Sequence, residues 1–134
     1  MQPNNTFFVE TTGEDFYRAW MDFTAPYHHL TSRERDVGAR ILSYYFKLRE
    51  GGITDPEVLK DLLWSRKCRK DMMESLNMSS AHFQMVLSKL RNSQFLVDGD
   101  LNPRFIPHKT DEPRFMVAVY FNWSGRKFPI HADK

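Results

Sequence analysis

The strongest constraint on the fold is an amphipathic pattern that begins after Met78. Between Ser80 and Asn92 the apolar residues recur at the i, i+3, i+4 and i+7 spacing that places side chains on one stripe of a helix. These residues are Phe83, Val86, Leu87 and Leu90. Ser79 or Ser80 stands where a hydroxyl group commonly caps the start of a helix. The sequence therefore predicts a helix over residues 79–92 with one buried face.

A second short helix and a hairpin are predicted on either side of this helix. Residues 66–76 form a helical run that ends just before Ser79. Behind the predicted helix, Asp98-Gly99-Asp100 separates the extended runs 95–97 and 101–106, and Asp-Gly between apolar stretches is a strong hairpin signal. We therefore expect two helices joined by a tight turn, followed by a β-hairpin.

This order of elements resembles the winged helix-turn-helix superfamily, which includes MarR-type regulators and plasmid and phage replication initiators. The resemblance covers roughly residues 31–107. Asn77 occupies the turn position that is often glycine, and asparagine tolerates the left-handed backbone better than most residues. The resemblance implies an α+β, mainly helical fold that binds double-stranded DNA. The residues that carry it are Leu76-x-Met78-Ser79, Leu87-x-x-Leu90-Arg91, Phe95-Leu96 and Leu101-Asn102-Pro103.

Two further helices are predicted before the helix-turn-helix. Thr31 and Glu34 have the spacing of a capping box, and the helix they open ends at Gly51-Gly52. Asp55-Pro56 has the proline-first pattern of a helix start. The residues expected to face the core from these two helices are Val37, Ile41, Tyr44, Tyr45, Leu48, Val58, Leu59, Leu62 and Leu63.

The two ends of the chain are predicted to contain strands outside this core. The segment from Thr6 to Glu10 has β character and precedes a helical stripe that ends before Pro26. The segment from Phe115 to Trp123 is dense in β-forming residues and apolar on both faces, which favours a strand covered on two sides or shared with a partner chain. The prediction is thus an N-terminal strand and helix extension (1–30), a winged helix-turn-helix domain (31–107) and a C-terminal strand arm (108–134).

The candidate site follows from the polar face of the helix over residues 79–92. The resemblance implies that the N-terminal part of this helix enters the major groove, where hydrogen-bonding side chains read base edges. A basic block on the preceding helix predicts phosphate contacts, which position a protein without reading sequence. The expected base contacts are Ser80, His82, Gln84, Met85, Ser88 and Lys89. The expected phosphate contacts are Arg66, Lys67, Arg69, Lys70, Arg91 and, in the wing, Arg104.

Composition and motifs exclude several other classes. A chain of 134 residues with net charge +2 has room for one domain and one core. The single Cys68 excludes an intrachain disulfide, and the histidines lack metal-ligand spacing. No catalytic motif, membrane-length apolar run or secretory signal is present. We therefore expect a soluble, cytoplasmic, non-enzymatic protein without a metal or cofactor.

Three functions remain open from the sequence. The first is a double-stranded DNA-binding transcriptional regulator or replication-initiation factor, acting as a homodimer through the segments from Thr6 to Glu10 and from Phe115 to Trp123. The second is a phage-type packaging or nucleoprotein component that forms a larger oligomer. The third is a winged-helix protein-docking module that does not bind DNA, which the low net charge favours.

Overall fold

The computed structural model describes residues 8–112, 114–119 and 121–126. Within these residues the fold is α+β and mainly helical, with one small antiparallel sheet of two strands. The elements in chain order are α1 (Asp15–Phe23), α2 (Ala25–His28), α3 (Ser32–Glu50), α4 (Pro56–Leu63), α5 (Arg66–Ser75), α6 (Ser80–Asn92), β1 (Leu96–Val97), β2 (Asp100–Leu101) and a 3-10 helix (Pro103–Phe105).

The helix starts are set by local capping bonds that the sequence predicts. The backbone N–H of Thr31 donates to Glu34 Oε1 at 2.9 Å, and the N–H of Glu34 donates to Thr31 Oγ1 at 3.4 Å, which completes a capping box at α3. The carboxylate of Asp55 accepts the N–H of Val58 at 3.1 Å at the start of α4. Both predicted helix starts are confirmed.

Helix α3 is the centre of the core. It packs against α1, α4 and α6, and its Val37, Ile41 and Leu42 are fully buried. Gly38 is also buried in this helix, and a Cβ at this position would lie 2.6 Å from the methyl carbon of Met21. A side chain at residue 38 would therefore require the buried end of the Met21 side chain to move.

Two predictions about the helical part need correction. In α4 only Leu59 and Leu63 are buried, whereas Val58 and Leu62 are exposed, because so short a helix presents a single narrow face to α3. The predicted inward residues of α3 are confirmed, since Val37 and Ile41 are buried and Tyr44, Tyr45 and Leu48 pack against the core. The helical stripe predicted to end before Pro26 is followed directly by the one-turn helix α2, which contains Pro26 near its start, where the residue needs no N–H partner.

The hairpin is shorter than predicted. Leu96 pairs with Leu101 and Val97 with Asp100, and the turn residues Asp98 and Gly99 both have positive φ. The extended run expected from residue 101 to residue 106 stops after Leu101. The Asn102 side chain accepts the N–H of Arg104 at 3.1 Å and so starts the 3-10 helix Pro103–Phe105.

The terminal strands are wrong for the residues that the structure describes. Residues 8–10, 114–119 and 121–126 belong to no strand. Thr6, Phe7 and Tyr120, which complete the two predicted strands, lie outside the described residues. A strand needs a neighbour for its backbone hydrogen bonds, and the described residues of one copy offer none to these segments.

Candidate nucleic-acid interface

Helices α5 and α6 are joined by a turn whose hydrogen bonds fix their relative geometry. Asn77 has φ +53°, and its N–H donates to the Glu74 carbonyl at 3.1 Å. The N–H of Met78 donates to the Met73 carbonyl at 2.9 Å. This pair of bonds is a Schellman motif, in which the left-handed residue is usually glycine and here is asparagine. The turn conformation expected at Asn77 is confirmed.

Ser79 then starts α6, and the predicted apolar stripe faces the core. The Ser79 hydroxyl accepts the N–H of His82 at 3.1 Å, which satisfies one of the unpaired donors at the helix start. The buried residues of α6 are the predicted ones, namely Phe83, Val86, Leu87 and Leu90. The remaining faces of the helix are therefore available to solvent and to a ligand.

Most of the predicted base-contacting residues are exposed on those faces. Only His82 is half-buried. The exposed ones are Ser80, Gln84, Met85, Ser88 and Lys89. None of the six is buried, and contacts to base edges require that these side chains are accessible.

A groove of about 290 Å³ brings the start of α6 next to the basic face of α5. On the α5 side, Arg66, Arg69 and Lys70 have the i, i+3, i+4 spacing of residues on one helix face. On the α6 side, Ser80 and Gln84 are one turn apart. Met73 also lines this groove. Two sets of residues predicted separately thus lie side by side.

The cations of this groove have no ion-pair partner in the part of the chain that the structure describes. Among residues 8–112, 114–119 and 121–126, no carboxylate lies within ion-pair distance of Arg66, Arg69 or Lys70. The Nε of Arg69 is shielded from solvent and has no hydrogen-bond partner in the described part of the chain. Contacts from Arg69 to an anion would therefore come from its terminal amino groups.

Lys67 differs from the other members of the basic block. It does not line the groove, and its ammonium group forms an ion pair with Asp71 one turn further along α5, at 3.0 Å. The hydrogen bond that Lys67 donates to Asp71 also raises the pKa of Lys67. Cys68, between the two arginines, is buried, and burial raises the pKa of its thiol. The basic block therefore has one face towards the groove and one away from it.

Arg91 and Arg104 lie outside the groove. Arg91 is exposed in the last turn of α6. Arg104 belongs to the 3-10 helix, where its guanidinium group lies 5.7 Å from the ring centroid of Tyr27 in α2. Neither residue is thus brought next to Arg66 and Lys70 by the fold.

The hairpin is held against α4 and has an acidic tip. Trp64 Nε1 donates to Asp100 Oδ1 at 2.9 Å, and Lys60 Nζ donates to the Asp98 carbonyl at 3.3 Å. Asp98 itself is exposed. A carboxylate at this position disfavours close approach of phosphate groups. The hairpin is therefore hydrogen-bonded to α4 and the residue after it, and its turn, Asp98-Gly99, contains no basic residue.

Sequence reasoning missed one residue that supports the α5–α6 turn. Arg33, in the first turn of α3, donates to the Leu76 carbonyl at 2.6 Å. Its guanidinium group also lies 3.5 Å from Asp36, which in turn forms an ion pair with Arg18 of α1. No local pattern marks this contact, because its partners are far apart in sequence. It ties the turn to α1 and α3.

Comparisons with protein-family models, with curated proteins and with solved structures give no match to this chain. Among the described residues, no helix has the length and apolar character needed to cross a lipid bilayer.

Proposed function

We propose that this chain is a double-stranded DNA-binding protein of the winged helix-turn-helix type, acting as a transcriptional regulator or a replication-initiation factor. The observation that carries the proposal is the groove in which Arg66, Arg69 and Lys70 adjoin Ser80 and Gln84. Unpaired cations beside an exposed polar helix start match the two classes of contact that duplex recognition uses.

In this proposal α5 and α6 have separate tasks. The cations of α5 contact phosphates and set the position of the protein on the duplex. The first turns of α6 enter the major groove, which is wide enough for an α-helix. Gln84 suits adenine, because its amide can accept and donate at once, and Lys89 suits guanine. Ser80, His82, Met85 and Ser88 complete the reading surface.

The proposal assigns little to the hairpin. Its tip carries Asp98, and Trp64 and Lys60 hold it on α4. Arg104 lies over Tyr27 rather than beside the groove. We therefore expect DNA contacts to be concentrated on α5 and α6, with no basic wing following the adjacent backbone.

The experiment that tests the function is selection of bound sequences from a random duplex pool. The proposal expects an enriched motif with the wild-type chain. Gln84→Ala should change the preference at one base position by about 1–3 kcal/mol, whereas Lys70→Gln should weaken all sequences alike. If neither the wild-type chain nor the variants enrich any sequence, the proposal that α6 recognises base sequence is refuted.

A second candidate function is a nucleoprotein component that assembles into a larger oligomer on DNA. The exposed apolar side chains near the C-terminal end, among them Phe121 and Trp123, favour it. Mass measurement in solution separates the two candidates, because a closed assembly of many copies contradicts a regulator that acts as a dimer.

A further inference from the structure

The C-terminal arm, meaning residues 114–119 and 121–126, starts on helix α1 and then leaves it. Phe115 packs edge-on against Phe16 and Trp20, with ring centroids 5.3 and 5.5 Å apart. Beyond Phe115 the large apolar side chains of the arm are exposed. A contiguous apolar surface of this kind is uncommon on a monomeric protein and marks a site of association.

The exposure of these side chains follows a regular trend. An extended conformation of the arm would place Phe115, Val117, Val119, Phe121 and Trp123 on one face, because alternate residues of a strand share a face. Phe115 is half-buried, and the exposed fraction then rises from 42% at Val117 to 51% at Val119. It reaches 79% at Phe121 and 91% at Trp123. The odd-numbered side chains are therefore in contact with α1 at Phe115 and increasingly exposed to solvent towards Trp123.

The chain just before the arm is fixed to the core. Lys109 Nζ lies 4.8 Å from the ring centroids of Tyr17 and Phe46 and donates to Tyr17 Oη at 2.6 Å. Trp20 Nε1 donates to the Phe105 carbonyl at 2.8 Å. The residues that precede the arm are thus held on the core, which reduces the conformational entropy that the arm loses when it associates with a partner.

The backbone of residues 114–119 and 121–123 lacks hydrogen-bond partners among the described residues, whereas Ser124 and Arg126 donate to side chains in a local turn. Within its described residues no main-chain N–H donates to a main-chain carbonyl. Valine, phenylalanine and tryptophan are residues that favour strands. Another strand would satisfy these main-chain groups, and its side chains would pack beside those of the odd-numbered face.

We propose that the arms of two copies of this chain pair as antiparallel strands about a two-fold axis at residue 119. This register opposes Phe115 to Trp123 of the second copy, and Val117 to Phe121 of the second copy. Aromatic pairs and aromatic pairs with β-branched residues are favourable across strands. In this register odd-numbered residues of one copy face odd-numbered residues of the other, so the odd-numbered side chains of both copies lie on the same side of the paired strands. That side is the one on which Phe16 and Trp20 of α1 contact Phe115. The dimer is closed and symmetric.

The area available is sufficient for a stable dimer. Phe121 and Trp123 can each bury about 150–250 Å². The two copies therefore contribute about 600–1,000 Å² from these side chains alone, and with the surface that they cover the total reaches the roughly 1,200–2,000 Å² of specific complexes. The pairing involves only the arm and α1, so it can be tested independently of DNA binding.

Sedimentation equilibrium over a range of protein concentrations tests the pairing. The wild-type chain should be a dimer, and the double variant Phe121→Ser, Trp123→Ser should raise the dimer dissociation constant by about 1,000-fold, since each loss occurs in both copies. Met116→Ser is the matched control, because Met116 is 92% exposed, like Trp123, but lies on the other face. A monomeric wild-type chain, or equal weakening by the control, overturns the proposal.

Cysteine cross-linking tests the register. In an antiparallel pair, residues that face each other have Cα atoms about 4.5–5.5 Å apart, which suits a disulfide. Val119→Cys should therefore form a covalent dimer on mild oxidation, whereas Met116→Cys, about 20 Å from its counterpart in this register, should not. The native Cys68 is buried and does not compete. Absence of the covalent dimer at residue 119, or equal yields at both positions, contradicts the two-fold axis at Val119.

Discussion

Removal of the cations in the α5–α6 groove should weaken DNA binding in a way that depends on salt concentration. Arg66, Arg69 and Lys70 line the groove without a carboxylate partner among the described residues, whereas Lys67 faces away and is paired with Asp71. Each lysine can be changed to glutamine with the same loss of charge from the same helix. Comparison of Lys70→Gln with Lys67→Gln therefore separates position in the groove from net charge.

The size of the effect follows from the number of cations. Each phosphate contact contributes about 0.9 to the slope of log binding constant against log salt concentration. Loss of Lys70 alone should lower the slope by about 0.9 and the affinity near 0.15 M salt by about 5-fold. The triple variant Arg66→Gln, Arg69→Gln, Lys70→Gln should lower the slope by about 2.7 and the affinity by about 100-fold or more. Lys67→Gln should change both much less.

Fluorescence anisotropy with a labelled random-sequence duplex, read between about 50 and 200 mM salt, measures both quantities. Circular dichroism melting of each variant checks that the fold is retained, which matters most for the partly buried Arg69. The reasoning is refuted if Lys67→Gln lowers the slope as much as Lys70→Gln. It is also refuted if the triple variant binds like the wild-type chain.

Three further predictions concern stability, each measured as a free energy of unfolding in urea. Asn77→Val should destabilise the protein by about 1–2 kcal/mol, because a β-branched residue opposes the positive φ at this turn, whereas Asn77→Gly should not. Gly38→Ala should cost about 1–3 kcal/mol, because the added methyl group would lie 2.6 Å from the fully buried methyl carbon of Met21, and an unchanged stability would contradict the close packing of α1 on α3. Burial lowers the pKa of His28 in the folded protein, so the unfolded chain binds a proton at this residue first as the pH falls. The free energy of unfolding should therefore decrease below about pH 6.5, with a slope of at most about 1.4 kcal/mol per pH unit. His28→Gln should flatten this slope and the exposed His29→Gln should not; equal slopes in the two variants would exclude His28 as its source.

Local signals in the sequence predicted the helical part well. The capping box at Thr31, the Asp55-Pro56 start and the cap at Ser79 depend on residues within one turn of each other, so the sequence contains all the information that they need. The apolar stripe of α6 follows the same logic. All four apolar residues of α4 were predicted to face the core, but the position of α3 decides that only Leu59 and Leu63 are buried.

The parts that sequence reasoning missed depend on contacts between distant residues. The hairpin is held on α4 by Trp64 and Asp100, which no spacing rule links. The terminal strands were inferred from β-forming composition, but a strand exists only where a second strand pairs with it.

The candidate site was predictable in its residue types and less so in its arrangement. The exposed polar face of α6 followed from the buried stripe. Lys67 and Asp71 stand four residues apart, a spacing that signals an ion pair and could have separated Lys67 from Arg66 and Lys70. The adjacency of α5 cations to Gln84, in contrast, follows only from the turn geometry in three dimensions.

The most direct test of the central claim is a map of amide chemical-shift changes in the isotope-labelled chain during titration with duplex DNA. The account predicts that the largest changes fall on α5 and the first turns of α6, including the side-chain amide of Gln84, with smaller changes at the hairpin tip around Asp98. Changes confined to α1 and the C-terminal arm, or no changes at low salt, would contradict it.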